Sequence, residues 1–254
     1  MLWCSPPSTL ALGPGEIHLW LALRGDGPLI DIGSAGLSTD EIARARRLQR
    51  PADRELFLLA HAMLRDVLAR YLSVMPIQIV LKSAANGKPF LADSHCTDLR
   101  FNLSHSGDAV LCALTRGREI GVDIEAAAPR EDLLSIARHF FAPDECTALA
   151  ARSGDDRLAL FYLLWTRKEA YLKACGKGLS YPLNKFSVMP SLAVPSNPVV
   201  RGPDTGSEAT WSCYGLPMPP GYAAATVIAG SASALSCWHW GARGTYRIAE
   251  FNTE

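Results

Sequence analysis

The sequence predicts an α+β fold, and three observations carry that prediction. Stretches with helical and with strand character segregate instead of alternating strictly, which argues against a doubly wound parallel sheet. Two long apolar stripes at helical spacing lie in residues 56–71 and 156–174. Short apolar runs separated by polar turns cluster in 99–124 and again in 210–228.

Taken in order, residues 16–23 (Glu-Ile-His-Leu-Trp-Leu-Ala-Leu) read as a first strand. Ser38-Thr39-Asp40-Glu41 is a capping box, in which the serine hydroxyl and the glutamate satisfy each other's backbone donors. A helix follows to about Gln49, and Pro51 opens a second one with Leu56, Leu59, Met63, Val67 and Tyr71 along one face. Residues 77–81 alternate weakly and suggest a strand, and Asn86-Gly87-Lys88-Pro89 is a turn. Strands are expected over 99–103, 109–115 and 119–124, then helices over 131–139, 143–152 and 156–174, with Gly176 and Gly178 as the stop. Beyond Leu183 the chain is rich in Pro, Gly and Ser, with strands near 210–214 and 223–228. A boundary near 116–119 divides the chain into 1–117 and 118–254, each with strands and a long helix.

Composition excludes several classes. Hydrophobic residues make up 48% and charged residues 20%, as in a globular protein that buries a full core. Twenty-five basic and 25 acidic residues leave no global field to draw nucleic acid or membrane, so a polyanionic ligand needs a local basic pocket. Seven scattered cysteines with no Cys-x-x-Cys pair suggest reduced thiols and a cytoplasmic setting. No apolar run reaches 18 residues, so no transmembrane helix is expected, and no signal peptide either.

Four segments carry chemistry. In Ile120-Gly121-Val122-Asp123-Ile124-Glu125, residues two apart share a strand face, so Asp123 and Glu125 point together while Val122 and Ile124 face the core. Two carboxylates roughly 4 Å apart repel by about 4 kcal/mol at an effective dielectric near 20. A proton, a basic side chain or a metal must compensate, unless both acids sit wet at a strand end. All-oxygen ligation favours Mg²⁺. In Trp165-Thr166-Arg167-Lys168-Glu169-Ala170-Tyr171-Leu172-Lys173, residues Trp165, Glu169 and Lys173 share one helix face. That suits a pocket wall offering a third carboxylate and a phosphate-binding lysine; a surface Glu–Lys pair is the plainer alternative. Phe101-Asn102-Leu103-Ser104-His105-Ser106 sets hydroxyls around a histidine at a strand end, where an anion or merely a turn could use it. Asn86-Gly87-Lys88-Pro89-Phe90 presents one lysine on a turn.

Taken together and in this order, the four segments resemble the signature of the Sfp-type 4′-phosphopantetheinyl transferases: Gly87-Lys88-Pro89, Phe101 to Ser106, Gly121 to Glu125, and Trp165 to Lys173 with the Gly176-to-Leu179 tail. Phe140-Phe141 with Glu145 looks like the family's intervening segment. The resemblance implies two similar α/β halves related by a pseudo-twofold, with coenzyme A between them. It implies transfer of the 4′-phosphopantetheine arm to a serine of an acyl or peptidyl carrier protein, with release of adenosine 3′,5′-bisphosphate, by a Mg²⁺-dependent monomer. Asp123, Glu125 and Glu169 would ligate Mg²⁺. Lys173 would meet the phosphates. Lys88, Pro89, Ser104 and His105 would contact the adenosine end, with Arg47 and Arg54 as further phosphate contacts from the N-terminal helices. Glu169, directly or through a metal-bound water, or Glu145 would take the serine proton. Residues 126–141, including Leu133, Leu134 and Phe140, are a candidate carrier-docking segment. The rival readings are a non-catalytic coenzyme A module, which could dispense with the three acids, a metal-dependent phosphohydrolase, which would need no carrier, and a small trimeric holo-carrier synthase, whose chains are shorter than this one.

Overall fold

A computed structural model describes residues 3–30, 35–178, 181–189, 210–241 and 245–248. Leu179, the last residue of the signature tail, lies outside the described residues. The elements run β1 (Glu16–Ile30), α1 (Thr39–Arg47), α2 (Pro51–Leu72), β2 (Leu81–Ser83), β3 (Pro89–Leu91), β4 (Leu99–Ser106), β5 (Ala109–Arg116), β6 (Ile120–Ala126), α3 (Leu133–Phe140), α4 (Pro143–Ala150), α5 (Gly154–Cys175), β7 (Trp211–Gly215), β8 (Tyr222–Ala229), β9 (Ala234–His239) and β10 (Thr245–Ile248). The architecture is mixed α+β, as the segregated pattern predicts.

Two sheets lie face to face between helices. The larger has the order β10-β1-β5-β4, with β9 also pairing to β1, and the smaller has the order β6-β8-β7. Strand alternation assigns the faces. From β1 and β5, Trp20, Ala22, Val110, Cys112 and Leu114 pack under Leu59, Met63 and Val67 of α2. The alternate residues Ile17, Leu19, Leu21, Leu111 and Ala113 meet Ile120, Val122, Ile124 and Ile228 of the smaller sheet. The far side of that sheet takes Leu164, Tyr171 and Ala174 of α5. Strands covered on both faces read as unbroken apolar runs, which is why β5 is buried from Ala109 to Thr115.

The capping box closes as expected: Ser38 Oγ accepts from the Glu41 amide, and Glu41 accepts from the Ser38 amide. Glu41 also reaches α2, accepting from Arg65 Nε at 2.6 Å and contacting His61 Nδ1 at 2.9 Å. Burial opposes ionisation of Glu41, but the bonds from His61, the Ser38 amide and Arg65 prevail and lower its pKa to about 2. α1 is thereby fixed against α2.

Two expectations change. Residues 76–78 form a 3₁₀ turn and the strand begins only at Leu81, because Pro76 opens a helical turn. The last strands, β9 and β10, have no counterpart in the sequence reading. Both pair in parallel with β1, so the division at 117/118 separates α2 from α5 but cuts through the larger sheet.

Candidate active site

The site forms where β4 and β6 run side by side at the join between the sheets. The two strands are not backbone-paired; side chains bridge them instead. Asn102 Oδ1 accepts from the Val122 amide at 2.8 Å, Ser104 Oγ from the Ile124 amide at 3.4 Å, and Ser106 Oγ from the Ala126 amide at 3.1 Å. These are alternate residues of β4, on the face opposite Leu99 and Phe101, which pack under α2.

α5 crosses β6 at close range, and Gly121 permits it. A Cβ at that position would lie 2.0 Å from the carbonyl oxygen of Ala170 and 2.4 Å from the Ala174 amide nitrogen, both rigid backbone. The absent side chain lets the helix lie flat on the strand, bringing Glu169 and Lys173 over the face that carries Asp123 and Glu125. At its C-terminal end, α5 stops at Gly176 in the left-handed region, whose carbonyl accepts from Asn86 Nδ2 at 2.8 Å.

Asp123 is buried, and its Oδ1 accepts from Lys173 Nζ at 2.6 Å and Ser104 Oγ at 3.0 Å. Lys173 also donates to Ser104 Oγ at 2.8 Å. Glu125 accepts from Ser106 Oγ at 2.8 Å. Burial pushes the Asp123 carboxyl up to about 6 against the pull of Lys173, with Glu125 adding to the rise. Burial, followed by the charge of Asp123, pushes Glu169 up to about 7. Asp123 Oδ2 and Glu169 Oε1 are buried without a hydrogen-bond partner, a costly state that a cation would relieve. Oxygen donors alone suit a hard divalent ion such as Mg²⁺. Among the described residues, however, no three acids, histidines or cysteines are drawn together as closely as metal ligands are. Lys173 is the cation that neutralises Asp123 here.

The remaining predicted residues divide. His105 is solvent-accessible at the end of β4, and its pKa is lowered first by desolvation and then by the charges of Lys173 and His61. Ser104 bonds Asp123, Lys173 and the Ile124 amide, so it stands between the two strands and the helix. Lys88 lies at the other end of β6, donating to the Ile120 carbonyl at 3.2 Å and Glu119 at 3.3 Å. It lines, with Pro89, Phe90, Arg100, Glu119 and Cys175, a cavity of about 960 Å³ that none of the three acids touches. Arg47 is exposed on α1. Arg54 donates to the Leu48 carbonyl at 3.1 Å and so closes the corner between α1 and α2, while its Nε is buried without a partner.

Glu145 is corrected outright as a proton acceptor. It is fully buried, ion-paired with the equally buried Lys168 at 2.8 Å, and accepts from the Ala142 and Val188 amides. Lys168 further donates to the carbonyls of Leu183 and Phe186, so the pair pins α4 and residues 183–188 onto α5. No substrate atom can reach it. Leu133 is also core, whereas Phe140 is 44% exposed and packs edge-on to Trp165, one turn before Glu169. The sequence reading missed Asn102, Ser106 and the reason for Gly121; the period-two polar pattern Asn102-x-Ser104-x-Ser106 was the available signal.

The sequence pattern of the 4′-phosphopantetheinyl transferase superfamily matches residues 119–227, and that of the 4′-phosphopantetheinyl transferase N-terminal region matches 32–116. HetI, a 4′-phosphopantetheinyl transferase of Nostoc sp., is 35% identical over 241 residues, covering 94% of this chain and 98% of its own. The chain belongs to the 4′-phosphopantetheinyl transferase superfamily. A Synechocystis sp. protein, slr0495, is 40% identical over 201 residues, covering 79% of this chain and 80% of its own. Sfp, a 4′-phosphopantetheinyl transferase of Bacillus subtilis, is 34% identical over 193 residues, covering 76% of this chain and 82% of its own.

Proposed function

We propose that this transferase moves the 4′-phosphopantetheine arm of coenzyme A onto a serine hydroxyl of an apo carrier protein. One observation carries the reading beyond family membership: Asp123, Glu125, Glu169 and Lys173 are brought to one place from β6 and α5, with two buried carboxylate oxygens left without partners. In the reaction, the serine oxygen bonds to the phosphorus that bears the pantetheine. The bond from that phosphorus to the adenosine-side phosphate breaks, and adenosine 3′,5′-bisphosphate leaves.

Asp123, Glu125 and Glu169 would hold Mg²⁺, which when bound supplies positive charge to the diphosphate oxygens. The protein's own groups do the rest. Lys173 turns from Asp123 towards the phosphates and stabilises charge as the bond breaks. Glu169, through its unpartnered Oε1, accepts the serine proton. The cavity beside Lys88 and Pro89 takes the adenosine end. Asp123 lies three residues along β6 from Ile120, about 10 Å of strand beyond the carbonyl that Lys88 holds. His105, exposed near the end of β4, and Arg47, exposed on α1, contact the phosphates of coenzyme A. The carrier docks where Phe140 stands exposed against Trp165, which aims its serine at the Glu169 face of α5.

The five-stranded and the three-stranded sheet each carry one 22-residue helix, an arrangement that supports a pseudo-twofold relation between two halves of a monomer. No helix among the described residues is long and apolar enough to cross a membrane. All seven cysteines are unpaired, which supports a cytoplasmic setting. The test is incubation with coenzyme A, Mg²⁺ and several apo carrier proteins, read by mass. Phosphopantetheine added to the carrier serine supports the reading, and its loss in Asp123→Ala supports the metal assignment. Coenzyme A cleavage without carrier, or wild-type transfer by Asp123→Ala, would refute the corresponding part.

A further inference from the structure

The serines of β4 do more than join the sheets. Ser106 Oγ accepts from the Ala126 amide at 3.1 Å, so its single proton is free to be donated, and it points to Glu125 Oε2 at 2.8 Å. Ser104 repeats the arrangement one pleat earlier: its Oγ accepts from the Ile124 amide and from Lys173 and donates to Asp123 Oδ1. Each hydroxyl thus reads the backbone of β6 with its lone pair and orients the acid of the preceding residue with its proton. Asn102, the next residue along, bonds only the backbone, at Val122, where β6 carries no acid. The hydroxyls therefore fall at the two steps of the ladder where an acid stands on β6, and the carboxamide at the step where none does.

We propose that Ser106, with Ser104, is a positioning residue that fixes the carboxylates of Glu125 and Asp123 for a divalent cation and does not itself hold coenzyme A. This rests on the reading that these acids bind the metal. Asp123 supplies an observation independent of the serines: a carboxylate 3% exposed whose Oδ2 has no partner. With Oδ1 held by Ser104 and Lys173, the free oxygen is the one turned to the ion. A hydroxyl removed from this shell releases the rotamer of Glu125 while leaving every proposed coenzyme A contact in place.

The experiment measures Mn²⁺ binding to the full chain without coenzyme A, by loss of the free-ion EPR signal, alongside steady-state transfer. Ser106→Ala is expected to weaken Mn²⁺ binding roughly 10- to 100-fold, the usual cost of losing an outer-shell partner. The Mg²⁺ concentration for half-maximal transfer should rise by the same factor, while KM for coenzyme A at saturating Mg²⁺ stays put. Ser106→Thr, which keeps the hydroxyl, should restore the metal affinity. Ser106→Cys, nearly the size of serine with a weaker donor, gives the same comparison if the alanine variant fails to fold. Wild-type Mn²⁺ affinity in folded Ser106→Ala, or a rise in coenzyme A KM with unchanged metal affinity, overturns the positioning role while the metal site stands. Wild-type protein binding no more Mn²⁺ than Asp123→Ala overturns the metal site, and the positioning role with it.

Discussion

Lys168→Met tests how the active-site helix is held. Lys168 and Glu145 are both 0% exposed, 2.8 Å apart, and the ammonium also serves the carbonyls of Leu183 and Phe186. Methionine keeps most of the stem volume, so the change removes charge and hydrogen bonds and leaves little void. Breaking a buried pair by deleting one member costs about 3–5 kcal/mol. For a chain of this size each kcal/mol moves Tm by about 2–4 °C, so the variant should melt about 6–20 °C lower. Burial already raises the Glu145 pKa against the pull of Lys168. Without its partner, Glu145 can escape by taking a proton, so the loss should be larger at pH 8 than at pH 5. Adding Glu145→Gln should recover much of it by deleting the stranded charge. The assay is thermal denaturation of the wild type and both variants at both pH values. A single variant melting within about 2 °C of wild type, or no recovery in the double variant, would show that the pair does not pin α5.

Gly121→Ala should abolish transfer and lower stability by at least the ~1–3 kcal/mol typical of overpacking, because the new methyl meets fixed backbone of α5; assays of transfer and of urea midpoint check both. His18 is buried, bonded through Nδ1 to the Tyr71 hydroxyl, and burial lowers its pKa to about 4. The unfolded chain takes up a proton near pH 6.5 that the folded one refuses until about pH 4. The contribution of His18 is thus whole above pH 6.5 and lost as pH falls, up to about 3 kcal/mol. Urea titrations from pH 7 to 4 should show that slope and its flattening in His18→Gln; an unchanged slope refutes the assignment. Phe140→Ala should raise KM for the carrier severalfold with little change in Tm, since the ring is 44% exposed; an unaltered carrier KM moves docking elsewhere.

The site was legible where strand and helix periodicity alone decide direction. Asp123 and Glu125 point away from Val122 and Ile124, and Trp165, Glu169 and Lys173 share a face, because periods of 2 and 3.6 leave no other choice. What escaped was everything set by contacts distant in sequence. Glu145 sits in a family-like segment, yet its partner Lys168 lies 23 residues on and buries it. The bond from Ser104 to Asp123 shows only once β6 is placed beside β4. The fold failed to show through at its end for a similar reason: β9 is six residues long and gains its meaning only from a strand more than 200 residues earlier.

That last pairing affects how the chain can be made. A nascent chain emerging from the ribosome presents α2, β1, β4 and β5 early, but one long flank of β1 stays bare until Ala234–His239 has been synthesised. The first 117 residues expressed alone would expose that flank to any strand in solution and should aggregate. Trimming the chain before residue 234 would strike first at the opposite end of the sequence, so the two parts of this transferase are not separable cassettes.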